Sequence, residues 1–154
     1  KLIDNLWNGE KFLHLYVENE KASPESMSSL SYMPMVLGDQ LPENIQKKII
    51  RTLKKDYITD HGIATESPKS KYYRETGYWQ GPIWAPETML FIDGIDSAGE
   101  KELAKNLAKK FCELCKNGGF AENFGAVTGD PLVDPAYTWT SSVFLYLAHE
   151  YLNN

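Results

Sequence analysis

The connections between helices constrain this chain more than the helices do. Apolar-periodic stretches are joined alternately by very short segments, 38–41 and 95–97, and by long ones, 55–85 and 116–138. A short connection forces the two helices it joins to lie antiparallel. In such an up-and-down succession both long segments, together with residues 8–22, fall on one rim. Long ordered connections inside a compact domain are usually functional, so that rim is the candidate site. The hairpins predict an α/α toroid or a helical solenoid, and no repeat of fixed period supports the solenoid.

Five helices follow from apolar spacing and end signals, preceded by a short one ending in Leu2, Ile3, Leu6 and Trp7. The second opens at Ser23 with Pro24 in its first turn, carries Met27, Leu30 and Met33, and is expected to stop at Pro34 and Gly38. The third starts at Pro42 and repeats Ile45, Ile49 and Leu53 with lysines between them. The fourth begins at Pro86, buries some of Met89, Leu90 and Ile92, and is expected to end at Gly94. The fifth, 98–115, has the clearest stripe, Leu103, Leu107, Phe111 and Leu114 flanked by Ala104 and Ala108, before Gly118 and Gly119. The last, 140–152, is apolar on most sides through Val143, Phe144, Leu147 and Tyr151 and is expected to be largely buried. Strand alternation is nearly absent.

With 154 residues and 42% hydrophobic content, the chain fits one domain, 1–154. A net charge of -5, scattered lysines and no arginine cluster argue against nucleic acid as a partner. No apolar run is long enough to span a membrane, and no signal-peptide pattern is present. Cys112 and Cys115 lack the further ligands a zinc site needs and read as buried free thiols, which fits a reducing, cytoplasmic setting. His14, His61 and His149 have no spacing that suggests a metal or a triad, so neither metal nor cofactor is expected.

The chemistry concentrates in the long connections. Directly before the fourth helix stands Tyr78-Trp79-Gln80-Gly81-Pro82-Ile83-Trp84. Trp79 and Trp84 offer flat apolar faces and Gln80 a donor and an acceptor, the combination a sugar ring needs for its C–H face and its hydroxyls. Trp84, nearest the helix start, can equally plug the core. Upstream, Glu66 can accept a ligand hydroxyl or serve as an ion-pair partner in its loop. In the second long connection Glu122 lies among glycine and aromatic residues, with Tyr137 and Trp139 following at the last helix. Such surroundings partly desolvate a carboxylate, which suits a base that must take a proton from water. Asp130 and Asp134 do not have the spacing of a calcium loop and read as turn residues.

Together these segments resemble the C-terminal part of trehalase-like and family 63 glycoside hydrolases, glucosidases and mannosylglycerate hydrolase-like enzymes among them. The run from Tyr78 to Pro86 is similar to the family's Tyr-Trp-Arg-Gly-Pro-x-Trp segment, with Gln80 where arginine is common. Glu122-Asn123-Phe124 followed by Thr128-Gly129 resembles the pattern that carries the family's catalytic base, and Tyr137-Thr138-Trp139 the aromatic segment after it. The resemblance implies about half of a six-hairpin α/α toroid, inversion at the anomeric carbon, and Glu122 as general base. Tyr78, Trp79, Gln80, Trp84, Glu66, Tyr137 and Trp139 would hold an oligosaccharide or α-glycoside. The family's general acid is an upstream aspartate in a Trp-rich segment, and Asp4, Asp39, Asp56, Asp60 and Asp96 all lack that context. The chain alone is therefore expected to be inactive, to need the rest of its domain, and to expose apolar surface or self-associate. The competing expectation is a carbohydrate-binding helical module without chemistry.

Overall fold

The computed structural model describes residues 1–14 and 27–153. It comprises α1 (Leu2–Leu6), a 3-10 segment (Ser29–Gln40), α2 (Glu43–Asp56), α3 (Ala85–Ser97), α4 (Lys101–Gly118), α5 (Thr138–Leu147) and a closing π turn (Ala148–Leu152). Ser23 and Pro24, expected to open the second helix, lie outside the described residues. No helix among the described residues is long and apolar enough to cross a membrane.

The two strongest stripes fold as their spacing predicts. Ile45, Ile49 and Leu53 are buried on α2 while Lys47, Lys54 and Lys55 face outward. On α4, Ala104, Leu107, Ala108, Phe111 and Leu114 are buried, together with Cys112 and Cys115. Removing one such large apolar side chain from water contributes about 1.5–3 kcal/mol, which holds an amphipathic helix whose polar face gains little. Both cysteines are free thiols, and burial pushes them up to about 11 and about 12, respectively.

Two stop signals behave differently from their expected roles. Pro34 lies inside the 3-10 segment rather than ending it, and the kink falls at Gly38, with φ 52° and ψ -123°. Proline cannot donate the α-helical hydrogen bond, and here the chain winds on in tighter turns instead of stopping. Gly94 does not end α3, which runs on to Ser97. A Cβ at Gly94 would collide with the Met35 carbonyl, so this glycine lets α3 and the 3-10 segment pack backbone against backbone.

The hairpin geometry follows. At one end the two short turns touch: the Asp39 amide donates to Ser97 Oγ at 3.3 Å. At the other end the long segments meet. The Ser29 amide donates to the Thr65 carbonyl at 2.8 Å. There a small antiparallel sheet joins β1 (Ile83–Trp84), β2 (Asn123–Phe124) and β3 (Pro131–Leu132) in that order, pairing Ile83 with Phe124, Trp84 with Asn123 and Phe124 with Pro131. Phe124 faces the core, edge-on to Phe111 at 6.1 Å. Residues 8–14 return against the 3-10 segment, with the Phe12 amide on the Ser31 carbonyl at 3.1 Å, whereas 15–22 lie outside the described residues. The molecule is a partial α/α toroid with its elaborate loops on one rim.

The last helix is less buried than its composition suggests. Thr140, Val143 and Leu147 are buried on α5, but Leu145 is 67% exposed and Tyr146 38%. Among the described elements α5 packs chiefly on α3, α4 and the π turn, and Leu145 and Tyr146 lie on the side left open.

Candidate active site

The small sheet brings the two long connections together at Glu122. Its amide donates to the Asp134 carbonyl at 2.7 Å, and its carbonyl accepts the Trp139 indole N–H at 3.3 Å. Next to it, the Ala121 carbonyl accepts the Thr140 hydroxyl at 2.7 Å. These ties fix the backbone on both sides of a side chain that is only 7% exposed. The Tyr78 hydroxyl donates to Glu122 Oε1 over 3.4 Å, a long contact. Desolvation, and after it the Glu122 carboxylate, raise the pKa of Tyr78 above that of an ordinary phenol, so it stays a donor.

An aromatic platform adjoins the carboxylate. Trp79 stacks on Trp84 with centroids 4.3 Å apart and planes 4° from parallel. Tyr78 and Trp139 each meet Trp84 edge-on, at 4.8 and 5.4 Å, and Tyr137 leans on Trp139 at 4.8 Å. Trp84 is fully buried, so it presents no face to a ligand. It supports Trp79, which is 39% exposed. Tyr78 has φ 58°, an unusual backbone for a bulky residue, held by the Trp84 indole N–H on its carbonyl at 3.0 Å. The strain places the Tyr78 ring and hydroxyl between the tryptophans and Glu122.

Of the residues singled out from the sequence, Tyr78, Trp79, Trp84, Glu122, Tyr137 and Trp139 therefore form one cluster. Gln80 is exposed beside Trp79, and no hydrogen bond joins its amide to the cluster among the described residues. Glu66 is structural. It is buried, and its Oε1 accepts the Met27 amide at 2.9 Å rather than facing a ligand. Asp130 and Asp134 act in the turn, their carbonyls accepting the Gly125 and Glu122 amides. No group of three or more His, Cys, Asp or Glu side chains arranged for a metal occurs among the described residues.

Three polar residues near the cluster escape sequence reasoning. Glu75 joins the two long connections through Tyr73, Val127 and Thr128. Asn123 is buried opposite Trp84, with neither amide atom hydrogen-bonded among the described residues. Glu87, on the first turn of α3, is buried at 3% exposure. None belongs to a periodic pattern, and a glutamate in a first helical turn ordinarily reads as a partner of the helix dipole.

Comparison with known proteins agrees with this geometry. Residues 1–140 match the mannosylglycerate hydrolase MGH1-like glycoside hydrolase domain. The mannosylglycerate hydrolase MGH2 of Selaginella moellendorffii is 28% identical over 120 residues, covering 77% of this chain and 24% of its own length. A glucosylglycerate hydrolase of Mycolicibacterium hassiacum is 27% identical over 124 residues, 77% of this chain and 28% of its own. The chain thus spans about a quarter of the length of these curated relatives. The crystal structure of a GH63 mannosylglycerate hydrolase from Thermus thermophilus in complex with glucose superposes with a TM-score of 0.82 at 17% identity. That match covers 94% of this chain and 37% of the other, and shows the same toroidal fold.

Proposed function

The chain belongs to the mannosylglycerate hydrolase MGH1-like glycoside hydrolase domain family, and on that premise we propose that it supplies the general base, Glu122, and the sugar platform of an inverting α-glycoside hydrolase. The observation that carries this reading is the Glu122 carboxylate, 7% exposed, held against the hydroxyl of Tyr78, whose ring in turn meets the exposed Trp79 and the buried Trp84. In the reaction Glu122 takes a proton from a water molecule as its oxygen attacks the anomeric carbon. The glycosidic bond breaks on the opposite face, and an acid carried by the rest of the domain protonates the leaving oxygen. The Tyr78 hydroxyl, donating to Oε1, leaves the other carboxylate oxygen for the water.

Trp79 offers its open face to a pyranose ring, stiffened from below by Trp84. Glycerate-linked hexoses of the kind that name the relatives are the first substrates to try. A chain carrying the whole domain is expected to hydrolyse an α-linked hexosyl glycerate, whose one sugar ring reports the stereochemistry, and proton NMR is expected to show the β-anomer released first. Release of the α-anomer overturns inversion. Binding without turnover across the panel favours the non-catalytic sugar-binding module.

The open apolar face of α3 and α5, including Met89 and Tyr146, is where the remaining helices of the domain pack in this reading. The isolated chain is then expected to self-associate and to bind a hydrophobic dye. Sedimentation as a monomer at about 100 μM, without dye binding, contradicts it.

A further inference from the structure

We propose that Glu75 is a positioning residue that sets Glu122 against its water by clamping the two long connections together. This rests on the reading of Glu122 as general base. The Glu75 carboxylate takes four donors. The Tyr73 hydroxyl donates to Oε2. The Val127 amide, the Thr128 amide and the Thr128 hydroxyl donate to Oε1, at 3.1, 2.9 and 2.9 Å. The carboxylate is packed onto the turn so closely that a Cβ at Gly125 would collide with Oε1. Partial burial alone would raise its pKa, but the donors from Tyr73, Thr128 and Val127 outweigh that and hold it below the usual carboxylate value.

The clamp joins the two strands of the site at short range. Glu75 precedes Tyr78 by three residues, and the gripped turn begins at Gly125, three residues after Glu122. One end therefore sets the Tyr78 hydroxyl that reaches Glu122 Oε1, and the other sets the backbone from which Glu122 projects. Backbone bonds shape the turn itself, with the Gly129 amide on the Gly125 carbonyl at 2.9 Å and the Gly125 amide on the Asp130 carbonyl at 2.9 Å. Among the described residues no backbone–backbone bond ties the turn to residues 73–78. The Glu75 carboxylate, with Tyr73 beside it, makes that tie.

An amide in place of this carboxylate sets an N–H2 against existing donors, so Glu75→Gln releases part of the clamp while keeping its volume. The test uses a chain carrying the whole domain and a turned-over α-glycoside. A displacement of the base of about 1 Å costs on the order of 10²-fold. Glu75→Gln is expected to lower kcat roughly 10- to 100-fold with KM within about threefold, because the loss falls on the transition state. Thr128→Val is expected to show a smaller fall of the same kind, and Thr128→Ser, which keeps the hydroxyl, to restore kcat to within about threefold of the parent. A Glu75→Gln kcat within about twofold of the parent, with Glu122→Gln inactive, overturns the positioning role alone. A kcat loss matched by an equal loss of near-ultraviolet circular dichroism also overturns it, since the residue would then only hold the fold. Turnover that survives in Glu122→Gln overturns the base reading and this inference with it.

Discussion

Glu122→Gln, made in a chain carrying the whole domain, is expected to lower kcat by about 10²- to 10⁴-fold while substrate still binds. The side chain changes by one atom, and the amide oxygen can still accept the Tyr78 hydroxyl that now reaches Oε1 over 3.4 Å. The Trp139 and Asp134 contacts are made by the Glu122 backbone and are untouched. Platform and fold therefore persist, and what disappears is the ability to take a proton from water. A loss confined to the transition state shows as a fall in kcat and kcat/KM together with an unchanged dissociation constant for a substrate-like sugar. Steady-state kinetics and calorimetric titration of the same variant separate the two quantities. A kcat within about tenfold of the parent would remove Glu122 from the base position.

The parts of this molecule that are legible in the sequence are those where one interaction dominates. The stripes on α2 and α4 are buried because burial of Ile49, Leu53, Leu107 and Phe111 outweighs the weak preferences of the residues between them. Glu122 and the tryptophans stand out because large aromatic and charged groups in long connections have few structural uses. Signals with two physical meanings mislead. Gly94 and Pro34 are chain breakers by local preference, yet Gly94 serves a close helix contact and Pro34 is absorbed by 3-10 winding. Strands of two residues are too short for alternation to show, so the sheet that unites the site leaves no trace. Trp84 could be platform or plug from sequence alone, and only its complete burial under Trp79 decides. Glu75 and Glu87 gain their roles from partners far along the chain, Thr128 and Ser29, which no local pattern encodes.

Folding stability is expected to fall as pH rises through the range in which Glu87 ionises, and removing its charge is expected to abolish that contribution. The residue stands three positions after Trp84, on the first turn of α3. Burial pushes its carboxyl from the ordinary 4.5 up to about 7, with only the Ser29 hydroxyl opposing the shift. The hydrogen bonding agrees. Ser29 Oγ lies against the Thr65 carbonyl at 3.0 Å and also against Glu87 Oε1. One hydroxyl proton cannot serve both acceptors. A protonated Glu87 resolves the conflict by donating to Ser29 Oγ, which then donates to Thr65. An ionised Glu87 accepts the Ser29 hydroxyl at Oε1, drawing it from the Thr65 carbonyl, while Oε2 shares the charge with no hydrogen-bond partner among the described residues. Between pH 4.5 and about 7 the native state thus holds a proton that the unfolded state has released. Stability is highest at the acid side of this window, falls as pH rises through it, and levels off above. The shift corresponds to about 3 kcal/mol. The amide of Glu87→Gln can donate to Ser29 as the protonated acid does, so the variant is expected to lose this slope and to be more stable than the parent at pH 8, by up to about 3 kcal/mol. Urea unfolding of both proteins at pH 5, 6, 7 and 8 measures the difference directly, because all other titrating groups are common to the two. A difference that stays constant across that range would show that Glu87 is already ionised at pH 5, and that Ser29 gives its proton to the carboxylate rather than to Thr65.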